Sequence, residues 1–132
     1  MKYLAFVYGS LKQGFGNHRL LKASTFLGEA KLSQCGAMYS LGGFPAVTLG
    51  KRVSPIHGEL YEIDENTLDA LDSLEGHPHF YQRTEVDVLQ EDEDGVYRVR
   101  AFVYLMEPNS GYLRGDPIKD GVWHDPRTRK AV

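Results

Sequence analysis

Apolar residues along this chain come in blocks of differing period, and each period predicts an element. Tyr3 to Tyr8 is almost continuously apolar, aromatic or β-branched, which predicts a strand covered on both faces. Gly9 to Gly16 predicts a glycine-rich loop, and Asn17 stands as an acceptable N-cap for a short helix carrying Leu20 and Leu21. From Thr25 to Leu41 the pattern predicts strands broken at Gly28 and Gly36. Gly42-Gly43-Phe44-Pro45 predicts a constrained turn, after which Ala46 to Leu49 resumes an extended pattern. Between Ile56 and Ile63 side chains alternate, with Ile56, Gly58, Leu60 and Glu62 opposite His57, Glu59, Tyr61 and Ile63, which again predicts a strand.

The period then changes. Asp64 is placed to cap a helix in which Leu68, Leu71 and Leu74 recur every three residues, and Gly76 with Pro78 stops it. Two further strands, Arg83 to Gln90 and Tyr97 to Leu105, flank the acidic run Glu91-Asp92-Glu93-Asp94-Gly95, where Asp94-Gly95 signals a hairpin turn. Residues 108–132 form a polar extension rich in Gly and Pro, with Trp123 as the residue to pin it to the body. Strands outnumber helices. The expected architecture is a single α+β domain over 1–132, built on a curled, mixed, barrel-like sheet flanked by short helices.

Bulk properties narrow the function. With 132 residues, 42% hydrophobic and 25% charged, the chain can bury a core and is expected to fold. A formal net charge of -3 argues against a nucleic-acid binder, and Arg127, Arg129 and Lys130 read as a solvated tail. No apolar run approaches the ~20 residues that cross a bilayer, and the short apolar block after Lys2 lacks a cleavage site behind it. Cys35 is the only cysteine, so no intrachain disulfide can form, which suits a reducing cytoplasm.

Several candidate chemistries fall away on inspection. Gly9 and Gly14 have Walker-loop spacing, but Phe15 and Gly16 stand where Lys and Ser or Thr are required. Arg19 occupies the third glycine position of a dinucleotide fingerprint. Either an ordinary strand-to-helix turn or an anion-binding concavity of backbone N–H groups fits what remains. Ser10 lacks the flanking glycines of a nucleophile elbow and reads as a hydroxyl that binds or caps. His77 and His79 lack a third ligand, so no metal site is expected.

Glu75 is harder to dismiss. Placed at ~100° per residue, Leu68, Leu71 and Glu75 share one helical face, so the carboxyl prolongs the apolar stripe. It also falls in the last turn, where the helix dipole disfavours negative charge. Both effects raise its pKa and suit it to proton transfer near neutrality. The competing reading is a frayed helix end with Glu75 turned into water. Asp72, three residues earlier, points further round toward solvent.

The motifs together resemble a known family. Val7-Tyr8-Gly9-Ser10-Leu11-Lys12 followed by Gly14, Asn17 and His18, then Tyr39-Ser40-Leu41-Gly42-Gly43-Phe44-Pro45-Ala46, are similar to blocks of the gamma-glutamylcyclotransferase-like superfamily. His57-Gly58-Glu59-Leu60-Tyr61-Glu62-Ile63, Leu71-Asp72-Ser73-Leu74-Glu75-Gly76, Tyr81-Gln82-Arg83 and Ala101-Phe102-Val103-Tyr104 continue the match in order. In particular they resemble the gamma-glutamylamine cyclotransferases and their bacterial relatives. The resemblance implies an enzyme without metal or organic cofactor that converts a small gamma-glutamyl amine or peptide to 5-oxoproline plus free amine. It places the catalytic glutamate on Glu75 and the substrate loop on Tyr8, Gly9, Ser10 and Leu11. Those loop amides would hold either the substrate's α-carboxylate or the developing oxyanion. Phe44 would shape a cavity wall with Pro45. Arg83 would attract an anionic group or make a structural ion pair, and Tyr104 would line the cavity or fill core. The expected protein is a cytoplasmic monomer or weak homodimer, without nucleic-acid or membrane partners. The alternative is a non-catalytic small-molecule binder of the same fold.

Overall fold

In a computed structural model, which describes residues 1–124, the apolar run at the N-terminus becomes β1 (Lys2–Val7), and its lack of alternation has a positional cause. β1 lies between two strands of a closed barrel, antiparallel to β5 (His57–Asp64) and parallel to β7 (Gly95–Leu105) at Ala5↔Phe102. Ala5 and Val7 pack on one side and Phe6 on the other, and all three are buried. The barrel order is β1-β5-β2-β6-β7, with β2 at Thr25–Leu32 and β6 at Gln82–Asp92. Closing the sheet removes the free edges that an open five-stranded sheet would present. A separate two-stranded sheet pairs β3 (Ala37–Ser40) with β4 (Pro45–Thr48).

Two hydrophobic clusters follow from the alternation of the strands. Leu60, Val88, Val103 and Leu32 belong to one, together with Phe6; every barrel strand contributes, so this cluster fills the barrel. Tyr61, Ile63 and Tyr104 point the other way and meet Leu68 and Leu71 of α1 (Glu65–Glu75), the single α-helix among the described residues. β5 therefore buries both faces, with Ile56 and Leu60 on one side and Tyr61 and Ile63 on the other, in keeping with the alternation expected of this strand. Asp64 caps α1 as predicted, its Oδ1 accepting the Thr67 N–H at 2.8 Å. Gly76 ends the helix at φ 65° with its N–H on the Asp72 and Ser73 carbonyls, a conformation that glycine adopts without a Cβ penalty.

Two local expectations are corrected. The helix predicted after Asn17 is one 3-10 turn, His18–Leu21, and the Asn17 side chain does not cap it. Gly28 does not end a strand: β2 runs through it, and a register shift between Phe26 and Gly28 marks a bulge at φ 121°. Leu74 belongs to no core cluster and is 40% exposed. The segment after β7 is fastened to the body, with the Gly121 carbonyl accepting the His57 N–H and Trp123 buried in the barrel cluster. Arg127, Arg129 and Lys130 lie outside the described residues.

Candidate active site

The end of β1 delivers Tyr8 and then a loop folded by local hydrogen bonds. The Gly9 carbonyl accepts the Lys12 N–H at 3.0 Å and the Ser10 carbonyl accepts the Asn17 N–H at 2.9 Å. Asn17 Nδ2 donates to Ser10 Oγ at 2.9 Å, so the asparagine read as a helix cap ties the loop back on itself instead. Among the described residues, the N–H groups of Gly9, Ser10 and Leu11 find no acceptor. Successive unpaired amides in a turn form a site for negative charge. Gly9 is required by a close approach: a Cβ there would stand 2.7 Å from Pro45 Cγ and 2.8 Å from Pro45 Cδ.

Across from this loop a cavity of about 450 Å³ opens. Phe44 and Pro45 form one wall, and Leu74 and Glu75 from the last turn of α1 form another, with Phe80 beside them. Tyr8, Tyr81 and Tyr104 also line the cavity. Each phenol donates its proton to a structural acceptor: Tyr8 to the Tyr104 carbonyl at 2.7 Å, Tyr81 to the Pro45 carbonyl at 2.6 Å, and Tyr104 to Asp72 Oδ1 at 2.7 Å. Burial pushes the pKa of all three up, and the nearby Glu75 carboxyl adds to the effect. They stay protonated, with lone pairs left to accept.

Glu75 is the only charged side chain on the cavity wall among the described residues. Its carboxyl makes no hydrogen bond within the described residues, and burial raises its pKa from 4.5 to about 7. The helical-face argument thus describes where the structure places it: half-buried beyond Leu71, facing the cavity. Desolvation without a compensating partner is the condition under which a carboxyl holds its proton near neutral pH.

Tyr8, Gly9, Ser10, Leu11, Phe44, Glu75 and Tyr104 all reach this cavity. Arg83 does not. Its guanidinium pairs with Asp72 Oδ2 and lies 4.8 Å over the Phe102 ring. Asp72 is accordingly not turned to solvent. It holds Arg83 with one oxygen and the Tyr104 hydroxyl with the other. Asp72→Ala strands both partners in a half-buried setting, and a loss of about 2 kcal/mol in denaturant unfolding is expected. Phe80 and Asn17 were missed as wall residues. An aromatic among polar neighbours just past a helix stop, in His77-Pro78-His79-Phe80, was the available signal for the first. His77 serves locally, its Nδ1 accepting the Arg83 N–H at 2.9 Å. Among the described residues no group of His, Cys, Asp and Glu is placed to hold a metal ion, and no helix is long and apolar enough to cross a membrane.

Residues 5–125 match the family model described as "Gamma-glutamyl cyclotransferase, AIG2-like". The chain belongs to this family. A family relative from Methanocaldococcus jannaschii, named "Putative gamma-glutamylcyclotransferase", is 39% identical over 96% of this chain and 99% of its own length. The gamma-glutamylaminecyclotransferase of Homo sapiens is 34% identical over 76% of each chain. The crystal structure of an AIG2-like protein from Mus musculus superposes with a TM-score of 0.77 at 26% identity, covering 98% of this chain and 99% of that one. The family fold is thus the barrel described above, and the cavity lies within the matched residues.

Proposed function

We propose that the protein is a gamma-glutamyl cyclotransferase that releases 5-oxoproline and a free amine from a small gamma-glutamyl compound, with Glu75 as general acid and base. The observation that carries this reading is a lone carboxyl, with a pKa raised to about 7 by burial, in the same cavity as a turn of unpaired main-chain amides. Family membership supports it.

The chemistry needs little more. The substrate's α-amine attacks its own γ-carbonyl carbon, forming the C–N bond of a five-membered ring. Because both groups belong to one molecule, folding the chain inside the cavity supplies much of the rate gain. At neutral pH that amine carries an extra proton, which the Glu75 carboxylate removes. The tetrahedral intermediate places negative charge on oxygen, where N–H donors of the Gly9–Leu11 turn are suited to meet it. Collapse breaks the original C–N bond as Glu75 returns this proton to the departing nitrogen; the ring nitrogen, made acidic by the new bond, then gives up its second proton through the same carboxylate to the freed amine, which leaves as an ammonium ion. One carboxyl serves both steps, so no enzyme nucleophile is required.

The test is 5-oxoproline release by purified protein from a panel of gamma-glutamyl amides and peptides, followed against pH. The reactive pair is ionised Glu75 with an ammonium substrate. log kcat/KM is therefore expected to rise with unit slope at acid pH and level off above about 7. A break in the ordinary carboxylic range would contradict the role given to Glu75. Saturable binding without any 5-oxoproline would mark a pure binding protein.

A further inference from the structure

The direction of the free amides in the Gly9–Leu11 turn is set from behind the turn. Each of its peptide units is planar and trans, so C=O and N–H face opposite ways. The Gly9 carbonyl accepts the Lys12 N–H and the Ser10 carbonyl accepts the Asn17 N–H, which turns both oxygens back into the loop. The Ser10 and Leu11 N–H groups, on the far side of those same peptides, are left facing the other way. Gly9, Ser10, Leu11, Gly16 and Asn17 line the cavity, whereas Lys12 to Phe15 form a rear half that does not. In that rear half two successive peptides are held at both ends. The Leu11 carbonyl accepts from His18 Nδ1 at 3.0 Å, and the N–H of the same peptide is the one on Gly9. The Lys12 carbonyl accepts the Phe15 N–H at 3.1 Å, and the Gln13 N–H donates to Glu59 Oε1 at 2.9 Å. Of these bonds only the last leaves the loop and its 3-10 turn for a barrel strand.

We infer that Glu59 is a positioning residue for the cyclisation: through the Gln13 N–H it holds the rear of the turn, and so keeps the Ser10 and Leu11 amides aimed into the cavity that Glu75 shares. This rests on the cyclotransferase reading above, in which those amides meet the charge of the tetrahedral intermediate. Glu59 is well placed for the task. It stands opposite Val7, the last residue of β1, and its Oε1 is itself fixed by the Tyr61 hydroxyl at 3.0 Å from a buried ring. A carboxylate accepting a backbone N–H makes a stronger bond than a neutral oxygen does. Glu59 does not reach the reacting groups: with Gln13, Phe26 and Glu29 it lines an outer groove, and it is absent from the lining that holds Glu75. Lys12 also leaves the loop, its Nζ donating to the Trp123 carbonyl at 3.1 Å. That contact lies at the end of a flexible side chain, so it does not fix a peptide plane. Alignment is the sensitive quantity, because hydrogen bonds weaken steeply as donor and acceptor leave the line between them.

Substitutions at Glu59 and Tyr61 test this, with rates taken per folded protein. Glu59→Leu removes the acceptor, and kcat for 5-oxoproline release is expected to fall by about 30-fold or more. KM should change by less than about threefold, because the charge that the amides meet develops only in the transition state. Glu75 keeps its surroundings, so the break in the pH profile near about 7 should persist. Glu59→Gln retains an oxygen that accepts from Gln13 and is expected to hold kcat within about fivefold of wild type. Tyr61→Phe removes the other donor to Oε1 and leaves the Gln13 bond; it should lower the denaturation midpoint yet keep kcat within about threefold of wild type. If Glu59→Leu does not fold, Glu59→Asp takes its place, with a carboxylate drawn back by one methylene and an expected loss of about tenfold in kcat. Wild-type kcat in whichever of these two variants is measured overturns this inference and leaves the cyclotransferase reading intact. A loss in Glu59→Gln or Tyr61→Phe as large as in that variant overturns it too, since neither takes the acceptor from Gln13. Release of 5-oxoproline from no compound of the panel by the wild-type protein overturns the activity and this inference with it.

Discussion

Glu75→Gln is expected to lower kcat for 5-oxoproline release by about 10²-fold or more, and to make the folded protein more stable at about pH 8. The two effects have one cause. Glutamine keeps the shape of the side chain but neither takes nor gives a proton, so the amine must lose its proton to water and the leaving nitrogen must find one there. The stability change follows from linkage. At pH below 4.5 the carboxyl is protonated in folded and unfolded chains alike, and the substitution is neutral. Between 4.5 and about 7 the unfolded chain has released the proton while the folded one still binds it. Wild-type stability therefore falls as pH rises through that window. Above it the penalty levels off, on the order of 2 kcal/mol once partial access to water is allowed for. Denaturant melts of both proteins at about pH 4 and pH 8 should coincide at the first and diverge, in favour of the variant, at the second. Retained activity in Glu75→Gln would remove the acid–base role outright.

That residue was legible in the sequence because its position depends on helical geometry alone. Three residues on one face, a stop at Gly76 and a cap at Asp64 are all local, and local chemistry survives folding. Asp72 was misplaced for the complementary reason. Viewed on an isolated helix it lies about 60° further round than Glu75, at the edge of the apolar stripe, yet Arg83 from β6 and Tyr104 from β7 come to meet it. Those partners stand 11 and 32 residues along the chain. No periodicity within the helix could reveal them. Gly28 shows the same limit: glycine in a strand weakens the pattern whether it ends the strand or bulges it, and only the register against β5 distinguishes the two. Alternation alone marks Glu59 as a strand residue and no more. Its Oε1 accepts both the Gln13 N–H and the Tyr61 hydroxyl, binding the far end of the first loop to β5. A Glu and a Tyr two apart on one strand face were the visible half of that arrangement; the amide of Gln13 was the hidden half.

Gly9→Val is expected to lower kcat/KM by about 10²-fold while costing about 1–3 kcal/mol of stability. The first new atom, Cβ, would stand 2.7 Å from the Pro45 ring, and the branched methyl groups add bulk beyond it. Pro45 has little freedom to withdraw. It pairs with Ser40 at the start of β4, and its carbonyl accepts the Tyr81 hydroxyl at 2.6 Å. The loop must yield instead, carrying the amides of Gly9, Ser10 and Leu11 out of register with the Glu75 carboxyl. A displacement near 1 Å is enough for a loss of that size when catalysis depends on orientation. Gly9→Ala, with the same Cβ and nothing beyond it, should fall between wild type and valine. The pH profile separates this effect from damage to the acid: Glu75 keeps its own surroundings, so the break near about 7 should persist while the plateau above it drops. Wild-type turnover in Gly9→Val would mean that the amides of the turn contribute nothing to the reaction.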